Sequence, residues 1–541
     1  MAQAIPATVG GQPVLILKEG SERSLGRDAQ RNNITAAKVV AEIVKTSFGP
    51  QGLDKMLVSG FGDVTITSDG ATILKEMDIE HPAAKMMIEV AKATDEEVGD
   101  GTTAVVILTG SLLEKAEQLL NQNVHPTLII DGYGKASEEA LKILEDISME
   151  VPPLDKDVLK KIASTSMATK LIQGSKEALA SIAVNAVLKV VKKTKAGYEV
   201  DVDDVTVEKK SGASMADTRL IDGVAVNKDV VHDKMPKRIN DAKIVLINAP
   251  FQVEKTEFDG KIDIERPEEM RAWLDEETNL LKEMVDDIVS VGANVVICQK
   301  AIEEPAQQYM AQNGILAVRQ LIEKNMERVA KATGGKILSS LKGLSRDDLG
   351  YAEIIEERKL SGEDWLFIEG CKNPKAITLL IRGGTEKATE EAERAIHDAL
   401  SVVKDVIENP RILAGGGAPE AEVSSKLRDW AETLSGKEQL AAMDFADAIE
   451  EIPLILAHNA GVDPMDTRVE LRSKHKTGDT WAGVDASSGK VKDMRNLDVY
   501  EPLAVKVQVL MSALEAASMI LRIDDVIAAG KMKTPTPPPS M

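Results

Sequence analysis

Apolar residues recur at helical spacing through the first part of the chain. Residues 33–52, "NITAAKVVAEIVKTSFGPQG", place apolar side chains on one face of a predicted helix, which Gly49 and Pro50 then stop. The apolar positions of this helix are Ala36, Val39, Val40, Ile43, Val44 and Phe48. Residues 81–97 and 112–120 repeat the pattern. This part of the chain is therefore predicted to be mainly helical.

The pattern changes to short, continuous apolar runs between about residues 200 and 380. The runs "KIVLINA", "ANVVICQ" and "ITLLIRGG" are rich in β-branched residues and alternate with helical patterns, which is typical of α/β structure. After "RILAGGGAPE" the pattern is helical again as far as "LRIDDVIAAG", and a Pro-rich tail follows. The chain therefore reads as a helical block, a mixed block and a second helical block.

A long amphipathic helix is predicted after Pro267, inside the mixed block. Its apolar face is formed by Met270, Leu274, Leu281, Val285 and Ile288, with Trp273, Leu280 and Met284 beside it. The polar stretch before the helix carries isolated apolar residues, namely Phe258, Ile262 and Ile264. We expect the C-terminal half of the helix to pack on its own domain.

Length and composition narrow the class of protein. The 541 residues are too many for one hydrophobic core and favour three or four domains. The formal net charge of −22 argues against a protein that binds nucleic acid or an anionic membrane, because both need a basic face. Cys298 and Cys371 cannot make a disulfide framework, and we expect both to be buried. No apolar run reaches the ~18 residues of a membrane span, so we expect a cytoplasmic protein.

Candidate chemistry begins in residues 98–110, "VGDGTTAVVILTG". Gly99 and Gly101 permit backbone conformations closed to other residues, and the following helix presents unpaired N–H groups that can hold phosphate. Thr102 and Thr103 add hydroxyl donors, whereas Asp100 would repel a bare phosphate and is better explained as a ligand of phosphate-bound Mg²⁺. By itself the motif fits a capped Asp-Gly turn at least as well, since it is neither a GxGxxG nor a Walker loop.

Two further turns have the same character. "SFGPQGLDKM" places Gly49 and Gly52 around Pro50, and "TSDGATIL" places Asp69 and Gly70 before a predicted helix. Each turn is a weak signal alone. Three such turns within about 50 residues, each beside a helix end, could meet around one polyanion.

The ordered motifs of the chain resemble those of one protein family. The segments "GPQGLDKM", "TSDGATIL", "VGDGTT", "KKSGAS", "QKAI", "AERAIHDAL", "GGGAPEAE" and "LRIDDVIAA" stand in the order and spacing found in archaeal group II chaperonins of the TCP-1/cpn60 family. The resemblance covers nearly the whole chain apart from its ends.

The resemblance implies a multidomain α/β chaperonin fold with discontinuous domains. There would be a mainly helical equatorial ATPase domain, a small intermediate hinge domain and an α/β apical domain that binds substrate. Their residues would be 1–152 with 412–541, 153–219 with 377–411, and 220–376, respectively. Residues of about 251–285 would form a helical protrusion on the apical domain, a built-in lid with Phe258, Ile262 and Ile264 at its tip.

The resemblance also implies how nucleotide would be bound. Asp100 would coordinate Mg²⁺. The other contacts, to phosphate, ribose or base, would come from Gly49, Pro50, Gly101, Thr102, Thr103, Gly416, Gly417, Asp485 and Glu501. ATP and Mg²⁺ would be the cofactors, with K⁺ as a further candidate.

Hydrolysis would fall to two carboxylates, Asp69 and Asp398. Either can accept a hydrogen bond from the attacking water, and two can fix its orientation. Without the resemblance, Asp398 would be read as a solvated carboxylate of a Glu-rich helix. His397 beside it is expected to be a surface or hinge residue rather than a base. Lys170 would sense the γ-phosphate from the hinge. Here the chain departs from the family, with Ala168 and Ala104 where Gly and Thr are usual.

The implied partners are non-native client proteins and further subunits, identical or paralogous, in stacked rings of eight or nine. No separate co-chaperonin lid, nucleic acid or membrane is expected. Two other classes remain open from the residues alone. One is an ATP-dependent kinase or ligase for a small substrate, and the other is a ring or scaffold that binds nucleotide without turnover.

Overall fold

A computed structural model of the chain describes residues 6–9, 12–15, 22–169, 173–195, 197–252, 267–371 and 377–528. Two compact units are formed. The helical unit comprises Met1–Lys170 and Asn409–Met541, and the mixed unit comprises Leu171–Glu408. The Pro-rich tail, Lys170 and the three apolar residues of the expected lid tip, Phe258, Ile262 and Ile264, lie outside the described residues.

The first segment of the helical unit is dominated by helices, as the apolar pattern predicts. Its strands are β1 (Pro6–Val9), β2 (Gln12–Leu15), β3 (Glu22–Leu25), β4 (Lys55–Val58), β5 (Val64–Thr67) and β6 (Met149–Glu150). Its helices are α1 (Gly26–Lys45), α2 (Gly70–Glu76), α3 (Pro82–Val98), α4 (Thr102–Asn121), α5 (Pro126–Ile147) and α6 (Lys156–Ser166). The helix predicted after Asp69 and Gly70 is present as α2, and β5 precedes it.

The mixed unit alternates strands and helices. Its helices are α7 (Lys176–Val190), α8 (Pro267–Ser290), α9 (Glu304–Gln312), α10 (Glu323–Thr333) and α11 (Glu386–Glu408). Its first strands are β7 (Lys192–Lys193), β8 (Tyr198–Glu199), β9 (Val205–Ser211), β10 (Arg219–Ile221), β11 (Gly223–Val226) and β12 (Arg238–Ile247). The others are β13 (Val295–Cys298), β14 (Leu316–Val318), β15 (Ile337–Leu338), β16 (Gly350–Leu360), β17 (Glu363–Cys371) and β18 (Ile377–Gly383).

The second segment of the helical unit returns to helices but also contains short strands. The helices are α12 (Ala418–Ala431), α13 (Lys437–Asn459), α14 (Pro464–Lys476) and α15 (Leu503–Leu521). The strands, which the apolar pattern did not predict, are β19 (Arg411–Ala414), β20 (Ala482–Asp485), β21 (Lys490–Asp493), β22 (Tyr500–Pro502) and β23 (Asp525–Ala528). Near the two ends of the chain, β23 pairs antiparallel with β3. In a separate three-stranded sheet, β19 lies between β22 and β6.

Helix α4 is the centre of the helical unit. Its residues are apolar nearly all round, with Val105, Ile107 and Leu112 fully buried, and it packs against α1, α3, α13 and α15. A helix that is apolar on every side has to be surrounded by others.

The buried stripe of α1 runs through Ala37, Val40 and Val44, whereas Ala36 and Ile43 are only partly buried and Val39 is 54% exposed. Phe48, which was predicted on the same helix, lies after its end at Lys45.

The mixed unit is built on a seven-stranded sheet with the order β11-β17-β16-β12-β13-β14, in which β15 also pairs with β12. Ile244 and Leu246 of β12 point into a core that includes α10, whereas Val245 and Ile247 point into a core that includes α8 and α9. Both faces of the strand are covered. This explains why "KIVLINA" is continuously apolar rather than alternating.

The predicted face of α8 is confirmed where its side chains are described. Leu281, Val285 and Ile288 are buried on the sheet, and Met284 packs beside them, while Leu280 is 43% exposed. The expectation for the cysteines is correct for Cys298, which is fully buried, but Cys371 is only partly buried. Burial raises the pKa of the Cys298 thiol to about 11, so it is unreactive near neutral pH.

Among the described residues, α15 is the one helix long and apolar enough, by length and composition, to cross a membrane. Half of its most apolar window is buried inside the protein, and the helix packs against α3, α4 and α5. Lys506 and Glu515 interrupt its apolar sequence. Helix α15 therefore has the surroundings of a core helix.

Candidate functional site

The turn after α1 is held by a side chain from α13. Asn459 donates through Nδ2 to the carbonyls of Lys45 and Phe48 at 2.9 and 2.8 Å. Gly49, in the left-handed region, lies so close to Leu456 that a β-carbon would come within 2.3 Å of that side chain. Gly49 and Pro50 are therefore held against α13. The residue beside Gly49, Leu456, lies about one helical turn after Pro453.

Asp69 lies where β5 ends and α2 begins. Its Oδ2 accepts a hydrogen bond from the Thr72 amide at 2.7 Å, and its Oδ1 accepts one from the Thr102 hydroxyl at 3.3 Å. The residue before it, Ser68, donates to the Thr169 carbonyl at 3.1 Å. The structure thus brings two of the predicted turns together, since Asp69 and Thr102 belong to different ones.

The turn between α3 and α4 has left-handed glycines on both sides of Asp100. Gly99 ends α3 and Gly101 precedes α4, with φ of +63° and +79°. Asp100 is half-buried, and its Oδ1 accepts a hydrogen bond from the Gly101 amide at 2.6 Å. Thr102 and Thr103 form the first turn of α4, where backbone N–H groups have no partner within the helix. The N-terminus of α4 is therefore suited to bind an anion.

The start of α2 lies directly against the start of α4. A β-carbon at Gly70 would come within 2.5 Å of the Thr103 hydroxyl and 2.9 Å of the Thr103 α-carbon. Gly101 is equally confined, since a β-carbon there would come within 2.6 Å of Val509 on α15. Glycine at these positions lets the turns approach closely, so the two helices begin side by side.

A fourth turn, also rich in glycine, links β19 to α12. Gly415 donates its amide to the Val499 carbonyl at 2.9 Å, and the Val484 amide donates to Gly416 at 2.8 Å. Gly417 precedes α12 with φ of +74°, and a β-carbon there would come within 2.6 Å of Pro453. Helix α13 therefore supports both this turn and the turn at Gly49.

Asp485 ends β20, and both of its carboxylate oxygens are engaged. Oδ1 accepts from the amide and hydroxyl of Ser487 at 3.0 and 2.5 Å, and Oδ2 accepts from Ser488 at 2.6 Å and Lys492 at 2.7 Å. Burial favours the neutral acid, but these donors outweigh it and hold the pKa of Asp485 well below its usual range. The residue holds the β20–β21 hairpin beside Gly416. Its predicted contact with nucleotide stays a prediction.

Glu501 lies on β22, opposite Leu413 of β19, and contacts Lys506 of α15. A β-carbon at Gly415 would come within 3.0 Å of Glu501 Oε1, so the carboxylate faces the glycine turn. Burial raises the pKa of Glu501, Lys506 opposes the rise, and the charges of Glu420 and Asp100 add to it. Glu501 is thus near enough to Asp100 for the two carboxylates to repel.

Sequence reasoning missed Lys506, Glu420 and Asn459. Lys506 lies 2.7 Å from Glu420, in the first turn of α12, as well as contacting Glu501. A lysine inside the apolar run of α15 was the available signal, since a charged residue at a core position needs a partner. For Asn459 the pattern offered no comparable signal.

Two further predicted residues, Asp398 and Lys170, stand outside the turns described above. Asp398 is half-buried on α11 of the mixed unit, where His397 beside it is exposed as expected. Lys170 lies outside the described residues. Their approach to the nucleotide remains a prediction.

The donors of these turns fit Mg²⁺ held together with phosphate. Within the described part of the chain, no group of three or more His, Cys, Asp or Glu side chains could hold a metal by itself. Mg²⁺ is commonly bound through one or two carboxylates together with substrate phosphates. Asp100 precedes the start of α4, whose first-turn N–H groups have no partner within the helix, so the same end can hold phosphate.

Comparison with known proteins gives a consistent result. Residues 40–531 match the model of the TCP-1/cpn60 chaperonin family. The chain is 54% identical over 523 residues to thermosome subunit alpha of Archaeoglobus fulgidus, which covers 97% of this chain and 96% of that one. It is also 54% identical over 527 residues to a thermosome subunit of Pyrococcus horikoshii, and 53% identical over 522 residues to one of Methanopyrus kandleri. These alignments cover 97% and 96% of this chain, respectively, and 96% of either relative.

Proposed function

The chain belongs to the TCP-1/cpn60 chaperonin family and is a chaperonin that assists protein folding, and from this premise we propose that ATP drives that activity at the turns of the helical unit. The observation that carries the proposal is the convergence of these turns. Asp69 accepts from Thr102, Gly70 packs on Thr103, and α13 supports both Gly49 and Gly417.

Binding and chemistry fall to different residues in this proposal. The N-terminus of α4, with Thr102 and Thr103, holds phosphate oxygens, while Asp100 holds Mg²⁺, which neutralises phosphate charge when bound. Gly49, Pro50, Gly416, Gly417, Asp485 and Glu501 surround the rest of the nucleotide. Asp69 orients the attacking water from a position fixed by Thr72 and Thr102.

Asp398 completes the site only when the mixed unit brings α11 to the phosphates. Shifting a two-state equilibrium from 1:99 to 99:1 takes about 5.5 kcal/mol of differential affinity. Contacts made only in the closed state, by Asp398 and by Lys170 on the γ-phosphate, supply part of it. Hydrolysis is thereby coupled to movement of the client-binding domain. K⁺ is a further candidate ligand of the phosphates.

The assembly in this proposal is a double ring of eight or nine subunits, identical or paralogous, in the cytoplasm. The equatorial, hinge and apical divisions follow the boundaries stated above, and the segment of about 251–285 closes the chamber without a separate co-chaperonin. Non-native proteins are enclosed there.

Two measurements on the purified protein test the proposal. Light scattering after size-exclusion chromatography should give a particle near a megadalton. A chemically denatured client should then regain activity with ATP and Mg²⁺, and more slowly without them. A low-order oligomer that phosphorylates or ligates a small substrate would favour the metabolic-enzyme alternative. A ring that binds ATP without hydrolysing it would favour the scaffold alternative.

A further inference from the structure

Lys506 is a buried cation between two carboxylates of the helical unit. Its side chain is 12% exposed, and its ammonium lies 2.7 Å from Glu420 Oε1 and contacts Glu501 Oε2. Lysine is rarely buried to this extent without specific partners. Burial lowers the pKa of Lys506, but Glu420 and Glu501 outweigh it and hold the pKa above its usual value.

The position of Lys506 joins the two ends of the candidate site. Its neighbours Val505 and Val509 lie against Gly101, where a β-carbon would come within 3.2 and 2.6 Å of them. Glu420 belongs to the first turn of α12, three residues after Gly417. Lys506 thus connects α15, which packs behind the turn at Gly101, with α12, which follows the turn at residues 415–417.

Glu501 depends on this partner for its orientation. One of its oxygens contacts Lys506, which leaves Oε1 facing Gly415. Glu420 and Asp100 both repel it. The second oxygen of Glu420, Oε2, is itself buried without a hydrogen-bond partner. Without the ammonium, two carboxylates would repel each other across a site largely closed to water.

We propose that Lys506 is a positioning residue of the nucleotide site, and that its ammonium holds the Glu501 carboxylate toward Gly415 to accept hydrogen bonds from ribose hydroxyls. The inference rests on the proposed function, which places Glu501 among the residues around the nucleotide beyond its phosphates, and it assigns Glu501 to the ribose. Lys506 acts only through Glu501. Its removal therefore weakens recognition of the sugar and leaves the phosphate chemistry in place.

The test compares the affinities of ATP and 2′,3′-dideoxyATP, which lacks both ribose hydroxyls, and measures turnover at saturating ATP. The wild-type protein should prefer ATP roughly tenfold, the usual size for hydrogen bonds to a charged group. Lys506→Gln should bring this ratio close to one, with kcat within about twofold of wild type. Lys161→Gln is the matched control because Lys161 pairs with Asp498 at 2.7 Å, just before the same strand, and should keep the wild-type ratio.

A double variant guards against misfolding of Lys506→Gln. Glu420→Gln combined with Lys506→Gln leaves the net charge of the three groups unchanged, and it should lose the preference for ATP in the same way. A wild-type ratio in both variants would overturn the inference and leave Lys506 a purely structural role. If Glu501→Gln kept the wild-type ratio of ATP to dideoxyATP affinity, Glu501 would not contact the ribose, and the inference would be overturned as well. The proposed function would fall only if the wild-type ring failed to hydrolyse ATP.

Discussion

Three left-handed glycines at helix ends, Gly101, Gly417 and Gly334, have different surroundings. Gly101 and Gly417 precede helices of the helical unit with φ of +79° and +74°, and a β-carbon at either would come within 2.6 Å of another side chain. Gly334 ends α10 of the mixed unit with φ of +74°, and a β-carbon there would have nothing within 4 Å. The backbone conformation is shared, and the neighbours differ.

The comparison shows which glycine turns indicate a site. Gly334 ends a helix, which glycine commonly does for conformational reasons alone. Gly101 and Gly417 instead allow the N-terminus of a helix to approach another element closely, Val509 of α15 at Gly101 and Pro453 of α13 at Gly417. Close approach, rather than the left-handed conformation, separates the candidate site from an ordinary helix end.

The largest expected effect separates chemistry in the mixed unit from binding in the helical unit. Asp398→Ala should slow ATP hydrolysis by roughly 10² to 10⁴ and leave affinity within a few-fold, because the group acts on water and not on the bound nucleotide. Asp100→Ala should instead weaken Mg·ATP binding. Steady-state kinetics and nucleotide titration distinguish them. Glu390→Ala, on the same helix and paired with Lys387, is the control. Equal loss of affinity in the two Asp variants would contradict the role assignment.

The next effect tests the two kinds of glycine directly. Gly334→Ala should cost about 1 kcal/mol of stability, since alanine is disfavoured in the left-handed region. Gly101→Ala carries the same backbone cost and also overlaps Val509, so it should displace the turn and weaken ATP binding more than tenfold. Thermal unfolding and nucleotide titration measure both. Unchanged ATP affinity in Gly101→Ala would show that the turn lies outside the site.

A smaller effect is expected at the hinge. Lys170→Ala should preserve ring assembly and leave turnover within a few-fold of wild type, but reduce the cooperativity of hydrolysis with respect to ATP, since the lysine senses the γ-phosphate without performing chemistry. Lys176→Ala, at the first position of α7, supplies a charge-matched control. If Lys170→Ala keeps the wild-type Hill coefficient, Lys170 does not sense the γ-phosphate.

The smallest effect concerns pH and lies away from the glycine turns. Burial, with a smaller contribution from Asp447, raises the pKa of Asp444 to about 6. A carboxyl group whose folded pKa exceeds its unfolded value stabilises the fold at low pH, and this contribution is lost as the pH rises through about 6. Asp444→Asn should therefore raise the free energy of unfolding at pH 8 by about 1 kcal/mol, after allowance for partial exposure, and change it less at pH 5. A larger gain in the free energy of unfolding at pH 5 than at pH 8 would contradict a raised pKa at Asp444.

Local patterns of the sequence were enough to predict most elements. The β-branched run "KIVLINA" was assigned to an α/β block and belongs to β12, and the helical spacing over residues 81–97 corresponds to α3. Both features depend only on neighbouring residues. Val39 was wrongly placed on the buried face because helical spacing alone could not decide which residues lie at the edge of the stripe.

The candidate site was only partly predictable. The three glycine turns could be named from their residues, and Thr102 does meet Asp69. The Lys506 contacts could not be predicted in the same way, because Glu420, Glu501 and Lys506 come from three separate elements and meet only after folding. The resemblance supplied Asp398, whose own sequence surroundings indicate no more than a helix carboxylate.

The most direct test of the central claim locates the metal. Crystals of the wild-type protein grown with Mn²⁺ and a non-hydrolysable ATP analogue should show one anomalous peak per subunit at the manganese absorption edge. The peak should lie at coordination distance, about 2.1 Å, from Asp100 and touch the phosphates at the start of α4. A peak that avoids Asp100, or a nucleotide bound away from all three glycine turns, would contradict the account.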